Sequence, residues 1–250
     1  SGGINTLTDL VSIERAINGA PVLIDGNGVE VAGFCKSYAL GSEIDEDRTP
    51  NVQLEMQARV QEIMDLISLH RLKKKIAAMV AIATNSDHTW GSSANPDGDL
   101  RTKINLTRTA SGFQANRAYF DSAAWALRQA AYEAQATAAA FQGTMRNEAQ
   151  LASYLQLSGL MVSKAIAKDS AGTLAALLSS KVLLFRSFPG ATRRDTSILK
   201  TFYCNDNGQR FRVHQRQISE KVWRVAVTYR EIDLVTGPVT GNPVRQMTIS

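Results

Sequence analysis

The run Asn51-VQLEMQARVQEIMDLISLHRLKKKIAAMVAI-Ala83 decides how the rest of the chain is read. Val52, Met56, Val60, Ile63, Met64, Ile67, Leu72, Ile76, Met79 and Val80 return every three or four residues, the period of one helix face. Asn51 suits the capping position at its start, because its side chain can accept a bond from an otherwise orphaned backbone N–H. Taken as one element, 51–83 is roughly 50 Å long at about 1.5 Å per residue. That exceeds the usual helix of a compact domain. The pattern allows one continuous helix or two with a break near Ser68. A helix of this length is a core element, a spine carrying continuity across a subunit, or both.

On the N-terminal side, the period changes from nearly four to two. Val22-Leu23-Ile24 and the run 29–38 flank Asp25-Gly26-Asn27-Gly28, the composition of a tight β-hairpin turn. Residues 1–20 are small and weakly patterned and read as an arm. Between hairpin and helix lies the acidic turn Glu43-Ile44-Asp45-Glu46-Asp47, closing at Arg48-Thr49-Pro50. A hairpin so placed has little local core and is expected to pack on something else.

On the C-terminal side, 85–100 reads as a polar loop holding Trp90 and Pro96. An indole in such a loop packs its apolar body on something large. A short helix is expected over 100–110, a transition at 116–120, and an alanine-rich helix over 122–141. Asn147 and Gln150 have the spacing of a capping box for a helix through 157. Strand patterns follow at 162–166 and 181–188, with 173–178 ambiguous. The last third is strand-rich: 197–204 and 210–215 flank Asn205-Asp206-Asn207-Gly208, and 221–235 follows. In that long strand Trp223, Val225, Val227 and Tyr229 alternate with Arg224, Ala226, Thr228 and Arg230. A final strand is expected at 244–249. The fold class is α+β.

Charge is divided along the chain. Residues 1–100 carry 14 acidic against 8 basic side chains, and residues 101–250 carry 9 against 20. This split suits self-association, contact with a polyanion, or an ordinary surface. The only two cysteines, Cys35 and Cys204, lie far apart in sequence and allow a single long-range disulfide or two free thiols, the second being the favoured reading, in a reducing cytoplasm. No apolar run is long enough to span a membrane.

The chemistry-bearing residues point away from catalysis. His70, His88 and His214 are scattered, without Cys, Asp or Glu at metal-motif spacing. Nucleophile-elbow, phosphate-loop and dinucleotide fingerprints are lacking. Asn205-Asp206-Asn207-Gly208 lacks the twelve-residue pattern of a calcium loop and reads as a turn. No catalytic residue, metal or cofactor is expected. Glu43, Asp45, Glu46 and Asp47 read as solvated carboxylates or as partners of another copy's cations. Arg71, Lys73, Lys74 and Lys75 form the densest basic cluster. Without interleaved aromatics, any nucleic-acid contact there would be to the backbone and salt-dependent. Pairing with the acidic turn of another copy is the competing reading.

Gly33-Phe34-Cys35-Lys36-Ser37-Tyr38 running into Ile44-Asp45-Glu46-Asp47-Arg48, followed by the long helix, resembles the major capsid proteins of tailed bacteriophages. Trp90-Gly-Ser-Ser-Ala-Asn-Pro96-Asp97-Gly98-Asp99 is similar to a loop of one branch of that family. Asn116-Arg117-Ala118-Tyr119-Phe120 and Leu151-Ala152-Ser153-Tyr154-Leu155 are placed like further elements of it, with Ala115 where a proline is common. The resemblance covers about 29–250 and lies in order and spacing more than in a strict motif.

The resemblance implies the Hong-Kong-97-like capsid fold, shared with encapsulins. Under it, 1–21 is an N-terminal arm, 22–50 the extended hairpin loop with the acidic turn, and 51–115 a peripheral domain with the spine helix. An axial domain would fill 116–200, with terminal strands over 201–250 returning to the peripheral domain. It implies hexamers and pentamers closing into an icosahedral shell around double-stranded DNA, assembled in a host cytoplasm and residing in the virion. Portal, scaffolding or decoration proteins are the implied further partners, and no membrane is. Under this reading Glu43, Asp45, Glu46 and Asp47 lie at an intersubunit contact, and Arg71, Lys73, Lys74 and Lys75 at a contact or facing the lumen. The rivals are an encapsulin-type compartment, a basic nucleic-acid-binding module and an enzyme with a convergent site.

Overall fold

A computed structural model describes residues 33–135, 137–168, 173–188, 196–204, 209–236 and 244–250. In chain order the elements are β1 (Lys36–Asp45), a 3-10 turn (Glu46–Arg48), α1 (Val52–Ala81), β2 (Thr84–His88), α2 (Pro96–Ser111) and β3 (Arg117–Asp121). There follow α3 (Ser122–Glu133), α4 (Ala138–Met145), α5 (Glu148–Tyr154), β4 (Gly159–Ser163), β5 (Ile166–Lys168), β6 (Leu174–Ala176) and β7 (Lys181–Phe185). The chain closes with β8 (Leu199–Tyr203), β9 (Phe211–Ser219), β10 (Val222–Val235) and β11 (Arg245–Ile249). The arm, the expected hairpin through residue 32 and the turn at 205–208 lie outside the described residues.

The decisive helix is unbroken. Asn51 caps it by accepting from the Leu54 N–H at 3.1 Å. Thirty residues at about 1.5 Å each give a rod of about 45 Å. Ser68, where a break was open, sits inside it and returns its hydroxyl to the Met64 carbonyl. Met56, Ile63, Ile67 and Ile76 are its buried stripe. Each such side chain contributes about 1.5–3 kcal/mol when fully buried, so tertiary packing rather than propensity holds this helix in place.

Two sheets receive that stripe. In the first, β10 is the central strand. β1 pairs antiparallel along one side of it, from Lys36 opposite Glu231 to Asp45 opposite Val222. The other side is shared: β9 runs along its first half and β8 along its second. Ile44, Val225, Val227 and Tyr229 point from this sheet onto Met56, Ile63 and Ile67 of α1. The second sheet has the order β2-β11-β7-β3-β4, parallel at both edges and antiparallel at its centre. Here Ile76 joins a cluster with Tyr119, Leu183, Ile198 and Val244. One helix therefore packs on both sheets. The bodies interleave along the chain: β2, α2 and β11 belong with the second sheet, while β8, β9 and β10 belong with the first.

The larger core lies on the second sheet, where Trp90, Leu100, Ile104, Phe120, Leu151, Val182, Leu184 and Met247 pack together. Trp90 is buried as its loop position predicted, and its indole N–H donates to Asp99 at 3.0 Å. The Asn147/Gln150 capping box is present.

Several expectations need revision. The acidic run 43–47 is a turn only from Glu46, because Glu43, Ile44 and Asp45 end β1 and pair with β10. The expected strand 162–166 is divided between β4 and β5, which belong to different sheets. The polar run 84–88 is a strand rather than a loop, because it adds to the edge of β11 and needs only backbone pairing. Helix α2 begins at Pro96 rather than Leu100, with Asn95 as its cap and proline in the first turn, where no N–H is needed. The alanine-rich helix is two, α3 and α4. Thr137 caps the second by accepting from the Ala140 N–H, and Gly143 then lies so close to Tyr132 that a Cβ there would come within 2.9 Å of its ring. Lastly, Cys35 and Cys204 are not free thiols but form a disulfide with Cα atoms 6.3 Å apart. Both Lys36 and Tyr203 pair with Glu231, which brings the neighbouring cysteines together despite 169 residues of separation.

Candidate functional site

Alternation along β10 sorts the first sheet into two faces. Val225, Val227 and Tyr229 are buried under α1, whereas Arg224 and Arg230 are exposed, as the sequence pattern required. The antiparallel registers extend the outer face sideways. Ser37, Ala39, Gly41 and Glu43 of β1 lie opposite Arg230, Thr228, Ala226 and Arg224. Arg212, His214 and Arg216 of β9 lie opposite Thr228, Ala226 and Arg224. The result is a floor of small side chains with a row of basic residues on β9. Gly41 must be small: a Cβ there would meet the Val225 carbonyl at 3.0 Å and the Ala226 Cβ at 3.1 Å. A concavity of about 300 Å³ opens on this sheet, with Ser37, Ala39, Arg210, Arg212, Thr228 and Arg230 among its lining.

At one end of the sheet is the acidic turn. Glu43 receives Arg224 at 2.6 Å, its partner across the β1–β10 register. Asp47 pairs with Lys221 at 2.9 Å, and Glu46 accepts from the Trp223 indole. Asp45 caps the 3-10 turn by accepting from the Asp47 N–H, with Arg48 at 3.7 Å. All four carboxylates, neighbours in sequence, thus have a partner inside the subunit. Glu43 and Asp47 nonetheless remain more than half exposed.

The basic cluster is dispersed around α1. Arg71 turns inward, donating to Glu231 at 2.8 Å and to the Tyr203 hydroxyl at 2.7 Å. Burial works against its charge, but Glu231 and Tyr203 outweigh it and hold its pKa above the ordinary arginine value. Lys74 reaches Asp233 and the Tyr38 hydroxyl, both at 3.0 Å, and its pKa is raised by these partners against the opposing effect of burial. Lys75 is held below the ordinary lysine value, first by burial and then by the nearby Arg71. Of the four only Lys73 is exposed, its ammonium donating to the Lys168 carbonyl at 3.3 Å. Arg71 and Lys74 therefore fasten the spine helix to β10.

Two constellations escaped the sequence reading. Arg128, fully buried, makes a bidentate pair with Asp97 at 2.7 and 3.0 Å, and Arg146 joins the same carboxylate at 2.6 Å. This pin joins the start of α2 to α3 and to the end of α4. A single arginine within an alanine-rich helix was its only sequence signal. The second is the β9 row, whose signal was Arg210-Phe-Arg212-Val-His214-Gln-Arg216, basic at every other position. Among the described residues no group of three or more His, Cys, Asp or Glu comes together to hold a metal. No helix among them is long and apolar enough to cross a membrane.

No protein-family model matches the chain, and neither does any curated protein. Solved structures do. A phage-related protein from Bordetella bronchiseptica RB50 superposes with a TM-score of 0.66 at 12% identity, over 85% of this chain and 74% of that one. The capsid structure of Cyanophage P-SCSP1u matches at 0.52 and 8% identity, over 93% and 81%. The holo-SrpI encapsulin complex of Synechococcus elongatus PCC 7942 matches at 0.50 and 10% identity, over 86% and 73%. The α+β fold thus resembles the Hong-Kong-97-like architecture of capsids and encapsulins, at identities that speak for the fold alone.

Proposed function

We propose that this chain is a major capsid protein, a structural subunit that assembles through hexamers and pentamers into an icosahedral shell enclosing double-stranded DNA. The observation that carries this reading is the spine: one helix of about 45 Å packed on two sheets, in a fold that resembles capsid architecture over most of its length. A rod bridging two bodies transmits position across a subunit, as a closed shell requires of its tiles. Within it the first sheet with α1 is the peripheral body and the second sheet the axial one, so that β2 and α2 of the expected peripheral span 51–115 belong to the axial body in this reading. Glu43, Asp45, Glu46 and Asp47 sit at an intersubunit contact, where the exposed Glu43 and Asp47 exchange part of their internal pairing for a neighbour's cations. Lys73 is the member of the basic cluster best placed for a contact or for the lumen. The subunit assembles in a host cytoplasm and ends in the virion, with portal, scaffolding or decoration proteins as further partners.

An encapsulin-type compartment with a protein cargo is the second reading, favoured by the likeness to the encapsulin complex. Particle content separates the two. Particles from an infected or induced host, treated with nuclease and then opened, release double-stranded DNA under the first reading. A protein cargo and no protected DNA would replace it with the second.

A further inference from the structure

We infer that the Cys35–Cys204 pair is a reversible redox site, opened and closed by a small anionic thiol of the glutathione class that enters the concavity of the first sheet, with Cys204 as the exchanging sulfur. Its biological setting rests on the shell reading, in which the chain passes from a reducing cytoplasm to the virion. The chemistry rests on the site alone.

The fold holds the pair together without the bond. Lys36 of β1 and Tyr203 of β8 pair with the two sides of Glu231, and each cysteine is the next residue beyond its strand. Ten paired residues of β1 and five of β8 fix these positions, and the Cys204 N–H donates to the Arg230 carbonyl at 3.3 Å. Neither ladder passes through the sulfurs. Opening the bond therefore leaves both strands paired and the thiols adjacent, so that closing again is a local step between groups already in place.

The two sulfurs are unequal. Cys204 is exposed and lines the concavity of about 300 Å³, whereas Cys35 is half-buried. That volume is at the lower end for small-molecule sites. Arg210 lines it too, its guanidinium stacked 3.8 Å from the ring centroid of Tyr203, the residue before Cys204. Among the described residues no carboxylate lines the concavity. A cation beside a sulfur favours the thiolate, the form that exchanges. The same cation suits the carboxylates of glutathione. Cys35 Sγ instead lies 3.9 Å from the Phe202 carbonyl, an acceptor that favours the thiol.

The exchange balances without a further oxidant. In closing, the Cys204 thiolate attacks one sulfur of oxidised glutathione, whose S–S bond breaks and releases one glutathione thiolate. Cys35 then loses its proton to solvent and attacks the Cys204 sulfur of the mixed disulfide, releasing the second glutathione. Two protein thiols are oxidised and one glutathione disulfide is reduced to two thiols. Opening is the reverse, with a glutathione thiolate attacking Cys204. The pair is thus a dithiol in a reducing cytoplasm, and its bond closes after the chain leaves it.

The test uses the full chain as unassembled subunits in native buffer. Wild type is equilibrated with mixtures of reduced and oxidised glutathione, and the remaining thiols are trapped with a maleimide and counted by intact mass. Both thiols are expected under reduced glutathione and neither under oxidised, with an unchanged circular dichroism spectrum. A bond that opens only after denaturation would overturn the inference. Cys35→Ser and Cys204→Ser each leave one thiol. Cys204 is expected to form the mixed disulfide about tenfold faster than Cys35. Arg210→Gln in the Cys35→Ser background should slow that reaction several-fold, while Arg101→Gln, exposed on α2, leaves it unchanged. Equal rates at the two cysteines, or equal effects of the two arginine substitutions, would contradict the assignment of Cys204. Chains trapped with the maleimide at host lysis are expected to carry both thiols, and a bond already closed there would contradict the switch. Absence of particles from the same lysate would remove the shell setting and leave the exchange chemistry standing.

Discussion

Arg71 and Glu231 show how a surface pattern in sequence becomes an interior clamp. Glu231 is 1% exposed, so removing only its partner strands a buried carboxylate. Arg71→Met should cost the unassembled subunit about 3 kcal/mol in a denaturant melt, and adding Glu231→Leu should restore most of it. Asp233 adds a pH dependence. Burial disfavours its charge, but hydrogen bonds from Thr201 and Lys74 outweigh that and depress its pKa. A depressed carboxylate stabilises the fold above its unfolded value, and the gain is lost as pH falls below about 4. Asp233→Asn is accordingly expected to lower stability near pH 7 by about 2 kcal/mol, with the gap to wild type closing toward pH 3. Sequence could not have shown these roles. The spacing of Arg71, Lys73, Lys74 and Lys75 gives their order around a helix, but only the β10 register says which of them meets an acid. By contrast, alternation alone was enough to separate Val225, Val227 and Tyr229 from Arg224 and Arg230.

Among elements, α1 was the most legible, because its period, cap and length were all local properties. The long strand β10 and the capping box of α5 were legible for the same reason. Strand β2 was not, since Thr84-Asn-Ser-Asp-His88 carries no apolar alternation and owes its conformation to pairing with β11. The division of α3 from α4 depends on a close approach between Gly143 and Tyr132 that no propensity encodes. The disulfide was hidden by distance along the chain. Closing a loop of 169 residues is worth up to about 5 kcal/mol in the chain-entropy picture. Cys204→Ser should therefore lower the melting temperature clearly. Reductant should lower that of the wild type to the same level and leave the variant unmoved.

At the scale of the whole molecule, the acidic turn separates folding from assembly. Its Glu43–Arg224 and Asp47–Lys221 pairs are exposed, and pairs of that kind contribute roughly 0–1 kcal/mol each. Replacing Glu43, Asp45, Glu46 and Asp47 together by alanine also removes the Asp45 cap and the Glu46 acceptor for Trp223, and should still reduce particle yield more than it destabilises the isolated subunit. Unchanged yield and particle stability would remove the turn from the intersubunit contact. At the same scale, the order of long helix, sheets and capped helices is what the chain shares with the solved structures, at identities near 10%, while no family model matches it. The most direct measurement is electron microscopy of the purified, recombinantly expressed chain at low and at moderate salt. The account predicts closed shells, or the hexamers and pentamers that build them. A uniformly monomeric protein under both conditions would contradict it.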